Sequence, residues 1–260
     1  SKASKALSER GVVAMPIELN WGVDREVFTV DNSEFQKKSL QIFGYDVSSN
    51  EMKGLRELFA HAKKVHFYRL NSGEKAKNDL VTARYSGVTG NQIKIVVTNN
   101  TDDEEAFEVT TYMGTIKVDT QIVKSAMELT TNDFVEFNES ATLVQTVGMP
   151  LSGGTNGEVT GSNYQDALDK LESYSFNVLA VVTTDSLING LVKAYTKRLR
   201  DEVGVKFQTV MYQYAADYEG IISVKNTVKD MLEAEKDTLN SKGIDFEKDI
   251  DEVKIGRAHV

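Results

Sequence analysis

Between Gly11 and Leu19 the chain reads GVVAMPIEL, a short apolar run whose length suits a buried strand, with Pro16 marking a strand end or an edge. Two helical stretches are predicted next. In the second, Met52, Leu55, Leu58 and Phe59 recur at helical spacing behind Asn50, a residue type that caps helices. Residues 65–70, VHFYRL, then read as a strand, and strand, helix, strand in this order predicts a parallel α/β layer.

From about Asp79 to Thr146 the period changes. The segments LVTARYSG, QIKIVVT, FEVTTYM, TIKVDTQIV, FVEF and TLVQT are short and rich in β-branched and aromatic residues, and Gly, Asn or Asp separates most of them. They predict an antiparallel β-rich insert, with a tight turn at Met113-Gly114-Thr115. The α/β pattern then returns. NVLAVVT (177–183) reads as a buried strand. Asp185 to Val203 form a helix with Ile188, Leu191, Val192, Tyr195 and Leu199 on one face, Gly204 stops it, and KFQTVMY is the next strand. The resulting fold class is an α/β core with a parallel-type sheet, interrupted by an antiparallel β-rich domain. Its parts are 1–78 and 149–226 for the α/β region and 79–148 for the insert, followed by a charged helical segment at 227–254.

Composition narrows the chemistry. With 40% hydrophobic and 27% charged residues in 260, a sizeable core is expected, and no apolar run approaches the 18–20 residues of a membrane span. A formal net charge of −9 argues against a phosphate-backbone binder, so nucleic acid is not an expected partner, and without a span-length apolar run neither is a membrane. The absence of cysteine excludes disulfides, thiolate nucleophiles and Cys-ligated metals, and fits a reducing compartment. The first residue is Ser, which suggests a chain beginning inside a gene product, and residues 255–260, IGRAHV, read as a translated sequencing adapter.

The glycine-rich run LSGGTNGEVTGSNYQDALDKL (151–171) is the one stretch that invites an enzymatic reading, because backbone amides at a helix start can hold an anion. Gly153, Gly154, Gly157 and Gly161 match neither the P-loop nor the dinucleotide fingerprint, and no Lys or Arg lies between Leu151 and Asp169. The preferred reading is a domain crossover with Asn163 capping a helix that buries Tyr164, Ala167, Leu168 and Leu171. A small-anion-binding or enzymatic site at Gly153–Gly161 is the alternative.

Other candidates are weaker. With His259 set aside as part of the adapter, His61 and His66 remain, five residues apart, a spacing that does not share a helical face, and G-x-S-x-G is absent. Asp102-Asp103-Glu104-Glu105 lacks the spacing of a calcium loop and reads as a solvated turn. Trp21, the only tryptophan, is expected to pack. No catalytic, metal or cofactor residue is expected. An adhesin-like module on the insert would need an exposed aromatic patch, which the sequence does not clearly show.

The order of segments resembles a known family. SERGVVAMPIELNWGVDREVFTV, FQKKSLQIFGYD, MKGLRELFAHAKKVHFYRLNSG, ARYSGVTGNQIKIVV, VGMPLSGGTNGEVT and YQDALDKLESYSFNVLAV are collinear with tail sheath proteins of contractile-tailed phages, Gram-positive prophages and phage-like particles above all, from about Ser4 to Val224. The pattern is lost beyond about Thr227. The resemblance implies a subtilisin-like core without a working triad, a β-sandwich insert, and no cofactor. It implies a subunit that self-assembles around the tail tube and contracts to drive it through the host envelope. Partners would be other sheath subunits, the tail tube protein, and baseplate and terminator proteins. The place would be the tail of a virion or phage-like particle, made in the bacterial host cytoplasm. Family arms that add strands to neighbouring sheets are implied to be missing here, which predicts a largely monomeric fragment.

Overall fold

The structure, a computed structural model, describes residues 11–225. The expected segment at 227–254 and the adapter-like 255–260 lie outside the described residues. A six-stranded sheet forms the centre of the α/β region. Its strands are β1 (Val12–Ile17), β2 (Val27–Asp31), β3 (Lys64–Arg69) and, after the insert, the strands Val178–Val181, Gln208–Tyr212 and Ile221–Val224, labelled β11, β12 and β13 after their place in the chain. The order is β13-β12-β11-β1-β3-β2, parallel except for β2, which runs antiparallel to β3.

Helices cover both faces, as buried parallel strands require. On one face lie α1 (Asn32–Phe43) and α2 (Lys53–His61), where Phe35, Phe43, Leu55 and Phe59 pack with Val13, Val65 and Phe67. Asp31 caps α1 and shares a capping box with Glu34, and Gly44 closes the helix in the left-handed region at φ 80°. The opposite face is covered by α3 (Gly161–Leu171) and α4 (Ser186–Lys197), which bury Tyr164, Leu168, Leu171, Val192 and Tyr195 against Val12, Ala14 and Leu179. Past α4 a π-helical turn, Arg198–Val203, leads to Gly204 at φ 83°, the stop expected from the sequence.

The insert holds two antiparallel sheets, β10-β6-β7-β8 and β4-β5-β9. Their strands are β4 (Lys75–Lys77), β5 (Val81–Ser86), β6 (Ile93–Asn99), β7 (Phe107–Met113), β8 (Ile116–Val123), β9 (Val135–Phe137) and β10 (Thr146–Pro150). Ile93, Ile95, Val97, Val109, Val135 and Leu151 fill a core between them. At the tight turn predicted for Met113-Gly114-Thr115, Met113 pairs with Ile116 across two residues, and Gly114 takes φ 60°.

Several local expectations are corrected. Pro16 lies at a strand end as expected, one residue before the last of β1, but not on an edge, since β1 is an inner strand. It is tolerated there because pairing with β11 covers only Val13 and Ala14, so past those residues the missing N–H faces no strand. Asn50 makes no side-chain cap; it opens a 3₁₀ turn, Asn50–Met52, that runs into α2. TLVQT is not a strand as a whole, since β10 begins only at its last residue, Thr146. The N-cap of α3 is Thr160, whose backbone N–H donates to Asn163 Oδ1 at 2.8 Å, so Asn163 sits inside the helix and reaches back.

Candidate functional site

The chain passes between core and insert twice, at 70–74 and 151–160, and the second passage is the glycine-rich run. Four of its amides, those of Leu151, Ser152, Gly154 and Thr155, are already engaged by protein acceptors. Leu151 N–H donates to the Ile93 carbonyl, Ser152 and Lys77 exchange a pair of backbone bonds, and Thr155 N–H donates to the Glu74 carbonyl at 3.1 Å. Gly154 N–H donates to Asn91 Oδ1 at 2.8 Å, and Asn91 Nδ2 returns a bond to the Gly154 carbonyl at 2.9 Å. The capping box takes up the start of α3. Amides turned inward in this way are not a cradle for an anion.

Glycine is needed here because backbones touch. A Cβ on Gly73 would come within 2.1 Å of the Thr155 carbonyl oxygen, and one on Gly157, at φ 71°, within 2.3 Å of that of Ser72. Side-chain amides complete the seam. Asn156 accepts from Val88 N–H at 2.9 Å and donates to Asn20 Oδ1 at 2.8 Å, while Asn71, buried, reaches both Leu19 and the Asn156 carbonyl.

Trp21 is fully buried, yet it comes from the core and packs in the insert, edge-on to Tyr85 and stacked on Phe134. Its indole N–H donates to the Gln41 carbonyl of α1 at 3.0 Å, so one side chain joins three segments. Beside it lies Arg69, 1% exposed, whose Nη1 donates to the carbonyls of Gly22 and Ser86 at 2.8 and 3.0 Å. Burial draws this guanidinium below its ordinary pKa, and the charge of Asp24 opposes that pull. Sequence reading named Trp21 but not Arg69; its only signal was an arginine ending a strand otherwise destined for burial.

The remaining candidates stay apart. His61 is exposed at the end of α2, whereas His66 is buried in β3, with Nδ1 2.8 Å from Thr29 Oγ1 and its ring 5.0 Å from that of Tyr174. Burial, aided by the Lys64 charge, holds His66 below its ordinary pKa, against a hydrogen bond with the Ser175 backbone. In the acidic loop, Asn100 Oδ1 accepts from the Asp102 and Asp103 amides, and Lys124 pairs with Asp103 and Glu105 at 3.3 and 2.9 Å. Among the described residues no group of three His, Asp or Glu is arranged to hold a metal, and no helix is long and apolar enough to cross a membrane.

Three family models match in succession: the tail sheath protein Gp18 domain III N-terminal region over residues 10–70, the phage tail sheath protein beta-sandwich domain over 71–156, and the phage tail sheath protein central domain over 157–241. The chain belongs to the phage tail sheath family. The beta-sandwich match coincides with the two antiparallel sheets, and the sheath central domain extends past the point where the resemblance was lost to sequence reading. This sheath chain is 37% identical over 247 residues to the phage-like element PBSX protein XkdK of Bacillus subtilis, covering 86% of this chain and 52% of that protein. It is 33% identical to YqbK of the same organism, with 85% and 52% covered. A sheath tail protein of Desulfitobacterium hafniense superposes with a TM-score of 0.78 at 38% identity, over 85% of this chain and 54% of that one. One of Listeria innocua gives 0.74 at 36%, over 86% and 53%. The chain thus spans about half the length of the relatives it matches.

Proposed function

We propose that this chain is part of a structural subunit of a contractile tail sheath, which assembles with copies of itself around the tail tube and contracts to drive the tube through the host envelope. Family membership carries the reading, and similarity to a protein of a phage-like element supports placement in the tail of a virion or phage-like particle, made in the host cytoplasm. Tail tube, baseplate and terminator proteins are the further partners, and catalytic, cofactor and metal residues have no part in it. The parallel sheet with helices on both faces supports the reading of the core as subtilisin-like. The division into two core halves around an insert belongs to the same proposal, with the expected bounds of 79–148 widened to the Lys75–Pro150 that the insert's strands span.

Two surface features suit a protein that assembles. The outer strands of the six-stranded sheet, β2 and β13, have no further partner strand among the described residues, and an open edge accepts an added strand by main-chain bonding. Among the described residues, nothing covers the sheet face beneath α1 and α2 toward β13. There Val182, Ile222 and Val224 are 65%, 43% and 37% exposed. Contraction is then a shift of a bistable lattice between two packings, joined throughout by such strand links.

Negative-stain electron microscopy of the complete gene product beside the 260-residue chain tests this. Tubes or stacked rings from the complete product support the sheath reading; a compact monomer under all conditions overturns it. The alternative, a small-anion site at Gly153–Gly161, is not favoured, because the Gly154, Thr155 and Thr160 amides already bond to protein acceptors. A thermal shift of several degrees with a nucleotide or sugar phosphate would revive it.

A further inference from the structure

An insert tethered by two short passages is free to swing unless something resists it. Two segments that do not pair with β3, the loop at Gly22–Asp24 and the end of β5, converge on the side chain of Arg69. It is the last residue of β3, in the core. Its Nη1 holds the Gly22 carbonyl, one residue past Trp21, and the Ser86 carbonyl, the last residue of β5 in the insert. Asp24 supplies the countercharge, and its Oδ2 accepts from the hydroxyls of Ser72 at 2.5 Å and Ser86 at 3.3 Å. The first of those serines lies in the 70–74 passage and the second in the insert. The packing leaves no slack: a Cβ on Gly87 would lie 2.0 Å from the Asn20 carbonyl oxygen and 3.3 Å from Arg69 Nη2.

We propose that Arg69, balanced by Asp24, is a positioning residue that pins the insert to the core, so that the two fold and unfold as one body with Trp21 as the plug between them. The argument rests on chemistry rather than on contact alone. A buried guanidinium must remain among acceptors, because moving it without them leaves a charge uncompensated. The insert cannot swing without pulling the Ser86 carbonyl from it, and the Trp21 segment cannot lift without taking away the Gly22 carbonyl. Nε and Nη2 meet no acceptor among the described residues, which leaves the Nη1 bonds and the Asp24 charge to hold the group. Lysine cannot substitute, since an ammonium at the end of a flexible stem does not present donors in a fixed fork. The inference holds whether or not the chain serves in a sheath.

The single tryptophan makes the test direct, because its fluorescence reports the joint while far-UV circular dichroism reports the sheets and helices. In urea the two signals of the unaltered protein are expected to change together. In Arg69→Met the fluorescence transition is expected to fall to lower urea and to precede the dichroism transition by roughly 0.5 M or more, and Arg69→Lys should not restore coincidence. Coincident transitions in Arg69→Met, even if both move to lower urea, overturn the proposal: Arg69 would then add stability without pinning. Should Arg69→Met not fold, Asp24→Asn is read by the same comparison, with separation expected and coincidence again decisive against it.

Discussion

The side-chain amide of Asn71 meets the backbone of Leu19 twice: Leu19 N–H donates to Asn71 Oδ1 at 2.8 Å, and Asn71 Nδ2 donates back to the Leu19 carbonyl at 2.8 Å. The side chain thus continues the ladder between β1 and β3 past the end of both strands, at a site 2% exposed. Asn71→Ala leaves a buried donor and a buried acceptor unpaired, at about 1–3 kcal/mol for each such group. The expected loss is about 3 kcal/mol, read as a lower denaturation midpoint at unchanged m-value. Asn71→Asp keeps the acceptor, loses the donor and adds a buried charge, so it should be no better tolerated.

The glycines of the crossover separate into two kinds. Gly157→Ala drives a Cβ against the Ser72 carbonyl, whereas Gly153, at φ 84°, has open space around it. Gly153→Ala should therefore cost only the backbone penalty of a left-handed residue, about 1 kcal/mol. Gly157→Ala should cost clearly more and loosen the joint. Thermal denaturation of the two variants side by side checks the order.

Trp21→Ala empties the largest buried side chain of the insert's core. Truncation of this kind costs about 3–5 kcal/mol. Because the indole also holds the Gln41 carbonyl, α1 should lose protection in hydrogen exchange around residue 41, far from the insert in sequence.

His66 makes stability depend on pH in a defined direction. Its pKa in the folded chain lies below the ordinary 6.5, so above that value both folded and unfolded forms are neutral and nothing is lost. As pH falls below 6.5 the unfolded chain takes up the proton first, and stability declines until the folded pKa is passed, with a slope of at most about 1.4 kcal/mol per pH unit. The decline in unfolding free energy between pH 6.5 and 5 should be shallower in His66→Gln than in the unaltered protein.

The exposed apolar residues near β13 give a surface prediction. Ile222→Lys places a charge on a half-exposed position and should leave the denaturation midpoint within about 0.5 kcal/mol while lowering ANS binding and self-association, measured by sedimentation.

The periodic parts of the chain were legible because burial imposed the period. Val12–Ile17, Val178–Val181 and Gln208–Tyr212 read as strands from their apolar runs, and Ile188, Val192, Tyr195 and Leu199 do face one core. The strands that escaped notice, Val27–Asp31, Lys75–Lys77 and Ile221–Val224, sit at sheet edges where one side needs no apolar residue; the pattern of Lys75–Lys77 is a single buried Ala76 between two exposed lysines. The joint was illegible for another reason. Asn20, Arg69, Asn71, Asn91 and Asn156 act through partners up to 136 residues away, and no local period records such a pairing. The glycine-rich run gave a visible signal, yet its meaning depended on where the amides point.

Val13 lies beside Val178 in the finished sheet, and Val12 N–H bonds the side chain of Asn177 across 165 residues. A ribosome working at roughly 5–20 residues per second needs about 10–30 s to make that stretch. From the time β3 is made until that interval ends, β1 has β3 on one flank and a vacant flank on the other, the kind of edge that invites wrong partners. The β-rich domain emerges during the same wait, complete before the strand that finishes the core exists, and the chain must keep its most central strand from pairing with anything else until the second half arrives.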